Sequence, residues 1–381
     1  MSGFNPAPYR RLFPFLSKGT IYLDHAAIGP VPQPSREAAM AYLRERTEGD
    51  VNIFIPFLKA HVETKKTIGR LLNASPDRIA FCDNTSHGLN ILAAGLSWKT
   101  GDRVLLTDVE FPANVYPFLN QKRHGVEVDF VQCRNNRIAF EDIERAITPR
   151  TRVLSISHVQ FLNGCRSDLA EIGKLCRAKG IIFSVDAIQA AGAVPIDVEA
   201  MNIDFLSCGS QKWLLSTEGV AFVYVSGETQ EKINQAYLGW LSIKDFFSDF
   251  FRYRLDLDAS ARRYEGGTLN VAGILCLNES VRLLLEVGIE NIAAHLKELT
   301  QLCVDRILQE GAELLTPENP RERAGIVSFR PPEAPAVFER LKSEGIIVSL
   351  REGCLRLSPH FYNTRDEVLK ALDAVFNRSS S

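Results

Sequence analysis

The sequence predicts an α/β protein: a large, mixed but mostly parallel sheet flanked by helices, followed by a smaller α+β domain. Three observations lead to this. Between about residues 60 and 225, short β-branched runs alternate with helical patterns, as in a parallel sheet covered on both faces. At 381 residues the chain exceeds what a single hydrophobic core usually fills, so a companion domain is expected. After Gly273, helices alternate with only a few strands, including a hairpin of residues 346–350 and 354–358 around the turn Arg351-Glu-Gly353.

Candidate strands, in order, are residues 79–82, 104–107, 126–131, 153–157, 181–185, 205–208 and 221–225, with the last expected to run antiparallel to its neighbours. The clearest unit starts with Val153-Leu-Ser-Ile-Ser157 as a buried strand. Ser167-Asp168 then caps a helix whose Leu169, Ile172, Leu175 and Cys176 share one face up to Gly180, and Ile181-Ile-Phe-Ser-Val185 returns as the next strand. Residues 228–265 are irregular and rich in aromatics, among them Trp240, Phe246, Phe247, Phe250, Phe251 and Tyr253, and we expect a loop region that forms a partner contact. The tail Ser379-Ser-Ser381 is expected to fray.

Charge narrows the partners. Lysine plus arginine (44) nearly balance aspartate plus glutamate (46), which leaves no basic field for a nucleic-acid backbone and no cationic face for a membrane. The opening Met-Ser-Gly-Phe-Asn-Pro lacks a charged flank followed by an apolar run, and no stretch reaches the roughly 18 apolar residues of a membrane span, so a cytoplasmic location and a small-molecule partner are expected. Eight cysteines without a C-x-x-C pair fit reduced thiols better than a disulfide framework or a metal site. Neither G-x-x-x-x-G-K-[ST] nor a strand-linked G-x-G-x-x-G occurs, which removes the common nucleotide-binding motifs.

The chemistry concentrates just past strand ends, where open α/β sheets bind ligands. Ser-Val-Asp186-Ala-Ile-Gln189 sets a carboxylate after one buried strand, and Ser-Cys-Gly-Ser-Gln-Lys212-Trp sets an amine after the next. A pyridoxal phosphate (PLP) site needs both: the carboxylate keeps the pyridine nitrogen protonated, and the lysine binds the cofactor covalently and moves the proton at the substrate's α-carbon. Phe81-Cys-Asp-Asn84-Thr85-Ser86-His87-Gly88 is a strand followed by small hydroxylated residues opening a helix, a place that suits phosphate and equally reads as a simple N-cap. In Glu110-Phe111-Pro-Ala-Asn114, Phe111 either stacks on the pyridine ring or packs in the core.

In this order the motifs resemble the class V aminotransferases, the PLP group that also contains cysteine desulfurases, kynureninases and isopenicillin N epimerase-like proteins. The resemblance starts at Tyr22-Leu-Asp-His-Ala-Ala27 and runs through Asn84-Thr-Ser-His-Gly-Leu-Asn90, Val185-Asp186-Ala-Ile-Gln189 and Gly209-Ser-Gln-Lys212-Trp. It ends with Arg263-Tyr-Glu-Gly-Gly-Thr268-Leu-Asn270 and Leu355-Arg356-Leu-Ser-Pro-His360-Phe-Tyr-Asn-Thr364. It implies the PLP-dependent transferase type I fold, with a cofactor-binding domain at residues 20–265 and a small domain of residues 1–19 and 266–381, in a homodimer whose active sites lie at the subunit interface. It makes Lys212 the Schiff-base lysine, Asp186 the pyridinium partner, Gln189 a donor to the ring hydroxyl and Phe111 the stacking residue. Thr85, Ser86 and Gln211 would hold the phosphate, with Gly267 and Thr268 reaching in from the other subunit. Arg356 would grip the α-carboxylate of an amino-acid substrate, with His25 also on the substrate side.

Two departures bear on the reaction. Gln211 stands where relatives often carry a histidine, and Phe161 stands where the desulfurases carry an asparagine, with Asn163 as the nearby amide that could replace it. A desulfurase needs a thiolate on a mobile loop, whereas Cys354 falls on the strand of Arg356, just past a tight turn. These residues leave amino-group transfer, epimerisation and elimination open; the family resemblance makes amino-group transfer the expected reaction, with desulfuration or selenocysteine cleavage, kynureninase-like cleavage and isopenicillin N epimerase-like chemistry as alternatives.

Overall fold

The computed structural model describes residues 4–49, 51–52, 54–248 and 250–376, and the tail at 379–381 lies outside them. The central sheet has seven strands. Across the sheet they run Ile79–Cys82, Ala221–Val225, Phe205–Gly209, Ile182–Asp186, Thr151–Ser157, Arg103–Thr107 and Glu127–Val131. Ala221–Val225 pairs antiparallel with both neighbours, and all the other pairings are parallel.

Strand residues alternate between two cores. Leu105, Leu154, Ile156, Phe183, Val185 and Leu206 enter one, while Val104, Leu106, Val153, Ile182 and Phe205 enter the other. Burial on both faces explains why these strands read as unbroken apolar runs. Helix Leu169–Lys179 starts where the Asp168 carboxylate accepts from the amides of Ala170 and Glu171, and it stops at Gly180, whose φ of 66° is left-handed. Among the described residues, no helix is long and apolar enough to cross a membrane.

A four-stranded antiparallel sheet, Ser349–Arg351, Cys354–Leu357, Val327–Arg330 and Glu313–Leu314, forms the smaller unit. Val327, Phe329, Leu355 and Leu357 pack into its core against Leu299, Val304, Leu341 and Leu372. The strand expected at 346–350 is divided. Ile346–Ile347 leaves the hairpin to pair in parallel with Ile21–Tyr22 near the start of the chain, and Ser349–Arg351 alone pairs with Cys354–Leu357. The reason is backbone satisfaction: the amino-terminal segment has its own donors and acceptors to place, and it finds them on this edge. The described residues between 228 and 265 form short helical turns and irregular segments, with Phe247, Phe251 and Tyr253 exposed.

The parallel direction of Ile182–Asp186 and Phe205–Gly209 brings their carboxyl ends together, with Asp186 opposite Ser207. The amino-terminal segment then passes over the peptide that follows Gly209. Gly29 donates its amide to the Gln211 carbonyl at 2.7 Å, and a Cβ at Gly29 would lie 2.2 Å from the Lys212 carbonyl oxygen. A side chain here would push the lysine peptide aside. Gly29→Ala is expected to destabilise the protein by about 1–3 kcal/mol, read as a lower denaturant midpoint at unchanged slope.

Candidate active site

Asp186 is 2% exposed. Its Oδ1 accepts from the Ile188 amide at 3.0 Å, while Oδ2 is enclosed with no hydrogen-bond partner. Burial, reinforced by the neighbouring Glu110 carboxylate, raises its carboxyl to about 7. Lys212 follows the adjacent strand. Burial lowers its amine to about 8, and the Arg356 and Arg351 charges act in the same direction while Asp186 opposes them. Its Nζ stands 5.6 Å from the centroid of the Phe111 ring. No hydrogen bond or ion pair to this amine occurs among the described residues.

The lysine peptide is braced from below. Leu215 donates its amide to the Lys212 carbonyl at 3.0 Å and holds a left-handed φ of 55°, a conformation that costs on the order of 1–3 kcal/mol and persists only where the surroundings impose it. Trp213, fully buried, donates from Nε1 to Gln189 Oε1 at 2.7 Å. Gln189 Nε2 in turn donates to the Ala26 carbonyl at 2.9 Å, leaving that amide one further hydrogen.

Helix Thr85–Gly95 opens at the same edge. Asn84 caps it by accepting from the His87 amide at 2.9 Å, which leaves the amides of Thr85 and Ser86 at the positive end of the helix. Thr85 Oγ1 accepts from the Gly209 amide at 3.0 Å, and so ties this helix start to the strand that leads to Lys212. A Cβ on Gly88 would meet Ser207 Oγ at 2.2 Å, so this close seat on the sheet needs glycine.

Arg356 is 2% exposed. Its Nη1 donates to the Phe161 carbonyl at 2.8 Å, its Nη2 donates to Ser349 Oγ at 3.2 Å, and Asp24 Oδ1 lies 3.6 Å from Nη2. Its Nε is buried without a partner. Phe161 meets Phe111 edge-on at 5.1 Å between centroids, so these two rings make a hydrocarbon wall.

The other expected residues divide between this edge and its surroundings. His25 is fully buried, with Nδ1 on the Ser358 carbonyl at 2.8 Å and Nε2 on the Tyr362 hydroxyl at 2.7 Å; both ring nitrogens are engaged behind the site. Gly267 and Thr268 follow the buried Glu265, and Thr268 lines a groove with Tyr42, Arg46, Phe57 and Trp240 that includes neither Lys212 nor Asp186. The Gln211 side chain is half-buried beside Gly209, and Ser86 is exposed. Asn163 turns away from the site: its side-chain amide donates to the Asn136 carbonyl and accepts from the Cys165 amide.

The sequence reading passed over Glu110. Its buried carboxylate accepts from Thr107 Oγ1, Asn114 Nδ2 and Gln160 Nε2 and from both the amide and hydroxyl of Ser157. Ser157 lies opposite Asp186 in the sheet, so Glu110 fixes the strand ends on which Asp186 and Phe111 stand. The available signal was a carboxylate three residues past the Thr107 strand end, with an amide four residues on.

A sheet edge with an unpartnered buried carboxylate oxygen, a free amine of lowered pKa facing an aromatic ring, and an open helix start defines a PLP-dependent enzyme. These groups match the cofactor's protonated ring nitrogen, aldehyde, ring face and phosphate in turn. The sequence pattern of the family described as Aminotransferase class-V matches residues 21–371, and the chain belongs to that family. A probable cysteine desulfurase of Methanothermobacter thermautotrophicus is 28% identical, covering 94% of both chains. An uncharacterized aminotransferase of Bacillus subtilis is also 28% identical, covering 97% of both. The isopenicillin N epimerase of Streptomyces clavuligerus is 27% identical, covering 94% of this chain and 95% of the epimerase. Among solved structures, the apo cysteine desulfurase of Thermococcus onnurineus NA1 superposes with a TM-score of 0.89 at 25% identity, covering 98% of each chain.

In the cofactor-free protein, covalent trapping of an aldehyde at Lys212 is expected to rise with pH through about 8, because only the neutral amine attacks. Asp186→Asn removes the charge that raises the amine's pKa and should move that midpoint down, as measured by borohydride trapping and peptide mass. Glu110→Gln places a donor among the donors around this carboxylate and should lower stability by about 1–3 kcal/mol, measured by denaturant unfolding.

Proposed function

We propose that this PLP enzyme is an aminotransferase acting on an amino acid. The observation that carries the reading is that no cysteine among the described residues offers an accessible thiol beside Lys212: Cys208, near enough to act on both Lys212 and Asp186, is fully buried in its strand, and burial raises its thiol well above the usual range. Cys354 is buried on its strand, its Sγ accepting from Arg330 Nη2 at 3.4 Å. Cys133, the one cysteine that is not buried, follows the edge strand Glu127–Val131, three strands from Asp186 and so about 15 Å away. The wall of Phe111 and Phe161 carries no group that exchanges protons, which favours transfer over an epimerisation that must deliver a proton to the opposite face.

When bound, PLP supplies an aldehyde that condenses with amines and a ring that accepts electrons from the α-carbon. Asp186 Oδ2, enclosed and unpartnered, holds a proton on the ring nitrogen. The amides of Thr85 and Ser86 and the Thr85 hydroxyl receive the phosphate, with Gln211 beside them, and Gln189 has one amide hydrogen left for the ring hydroxyl. Arg356 binds the substrate carboxylate and so sets the α-carbon against Lys212 Nζ, which takes the α-proton. His25 acts from behind, holding the Ser358 and Tyr362 segment. The same reading includes a homodimer: exposed Phe251, Tyr253 and Leu255 offer an apolar contact, and Gly267 and Thr268, the latter lining a groove apart from Lys212, complete the phosphate site of a second copy. It also includes the division at residues 20–265 against 1–19 and 266–381, and a cytoplasmic location, which the unpaired thiols of the described cysteines support.

The reconstituted enzyme is tested with a panel of amino acids, with and without a keto-acid acceptor, and the products are identified by mass. The expected result is a keto acid, formed stoichiometrically with enzyme when no acceptor is present. Lys212→Ala should lower the rate roughly 10²–10⁴-fold, and Arg356→Lys should weaken substrate binding by roughly tenfold or more. Alanine with released sulfur, or inverted substrate with no keto acid, would replace transfer by lyase or epimerase chemistry.

A further inference from the structure

Side chains on the four-stranded sheet alternate between an apolar and a polar face. Leu350, Leu355 and Phe329 belong to the small core, so Ser349, Arg351, Cys354, Arg356 and Arg330 share the opposite face. Register sets Ser349 across from Arg356, and Arg351 across from Cys354. Ser349 Oγ donates to Asp24 and accepts from Arg356, so this is the face that looks onto the site, and Arg351 continues the same row. Its charge reaches the same groups, acting on Lys212, Asp24 and Arg356.

The three guanidinium groups on this face are occupied differently. Arg330 pairs with Glu313 at 2.5 Å. Arg356 is buried and engaged with Phe161, Ser349 and Asp24. Arg351, exposed at the hairpin turn, has no side-chain hydrogen bond or ion pair among the described residues. Exposure by itself makes an arginine a solvated charge. Here, however, the register places the Arg351 backbone position diagonally across the strand pair from that of Arg356, about 7–8 Å away, a distance that two long side chains close onto the ends of a short diacid. Asp24 lies 3.6 Å from Arg356, so among the described residues Arg351 is the guanidinium of this face without a carboxylate within ion-pair distance.

We propose that Arg351 receives a second acidic group, so that the preferred substrate is a dicarboxylic amino acid held by its α-carboxylate on Arg356 and its side-chain carboxylate on Arg351. The proposal rests on the amino-acid reading given above. Planar bidentate pairing suits both contacts. The holoenzyme is assayed for keto-acid formation with aspartate and glutamate against alanine and norvaline, and is titrated by calorimetry with succinate against butyrate. The wild type should prefer the dicarboxylic member of each pair. Arg351→Gln should lower the ratio of kcat/KM, dicarboxylic over monocarboxylic, by roughly tenfold to a hundredfold, with a similar fall in the succinate-to-butyrate binding ratio, and Arg351→Lys should recover part of it. A ratio that Arg351→Gln leaves in place, or a wild type that favours the monocarboxylic members, overturns the proposal. If no amino acid yields a keto acid, the transfer reading falls, and the titration still decides Arg351: succinate binding lost in Arg351→Gln upholds the second anion site, and binding retained rejects it.

Discussion

The structure depends on keeping one carboxylate oxygen buried and unsatisfied. Asp186 Oδ2 sits in the sheet edge without a partner, an arrangement that costs free energy unless something supplies a donor. The raised carboxyl pKa is the mark of that cost, and the lowered amine of Lys212 marks the matching desolvation on the other side. No ion pair joins the two groups among the described residues, so Oδ2 remains available to a ring that carries its own N–H.

Holding them apart falls to rigid elements. Asp186 ends a strand buried along its whole length, and the Glu110 network pins the neighbouring strand end through Ser157. Lys212 follows the next strand and is fixed by a left-handed residue, a buried indole and the glutamine beneath it. Thr85 joins the start of helix Thr85–Gly95 to that same strand. Movement of any one of these elements would therefore alter several contacts to the cofactor together.

The amino-terminal segment couples this frame to the smaller sheet. Ile21–Tyr22 extends the edge of Ile346–Ile347, and the Ser358 amide donates to the Leu23 carbonyl at 2.7 Å. A few residues later Gly29 bonds the lysine peptide. One short stretch thus connects the strand of Arg356 with the loop of Lys212, so the guanidinium and the amine share a common reference.

The sequence by itself determined that Asp186 and Lys212 end neighbouring strands, that the sheet is mixed with one reversed strand, and that the chain falls within a PLP family. These features are local: apolar runs closed by polar residues, a cap at Asp168, a glycine at 180, and motifs a few residues long. Only the tertiary structure decided the rest. Glu110 became a hub because Ser157 and Gln160, from a second strand end, converge on it together with the local Thr107 and Asn114. His25 lost both ring nitrogens to Ser358 and Tyr362, more than 330 positions away in the chain. The strand at 346–350 was divided by a segment from the opposite terminus, and Thr268 came to line a groove apart from the lysine. The physical reason is the same in each case: burial and hydrogen-bond partners are set by contacts between distant segments, which leave no periodic trace in either one.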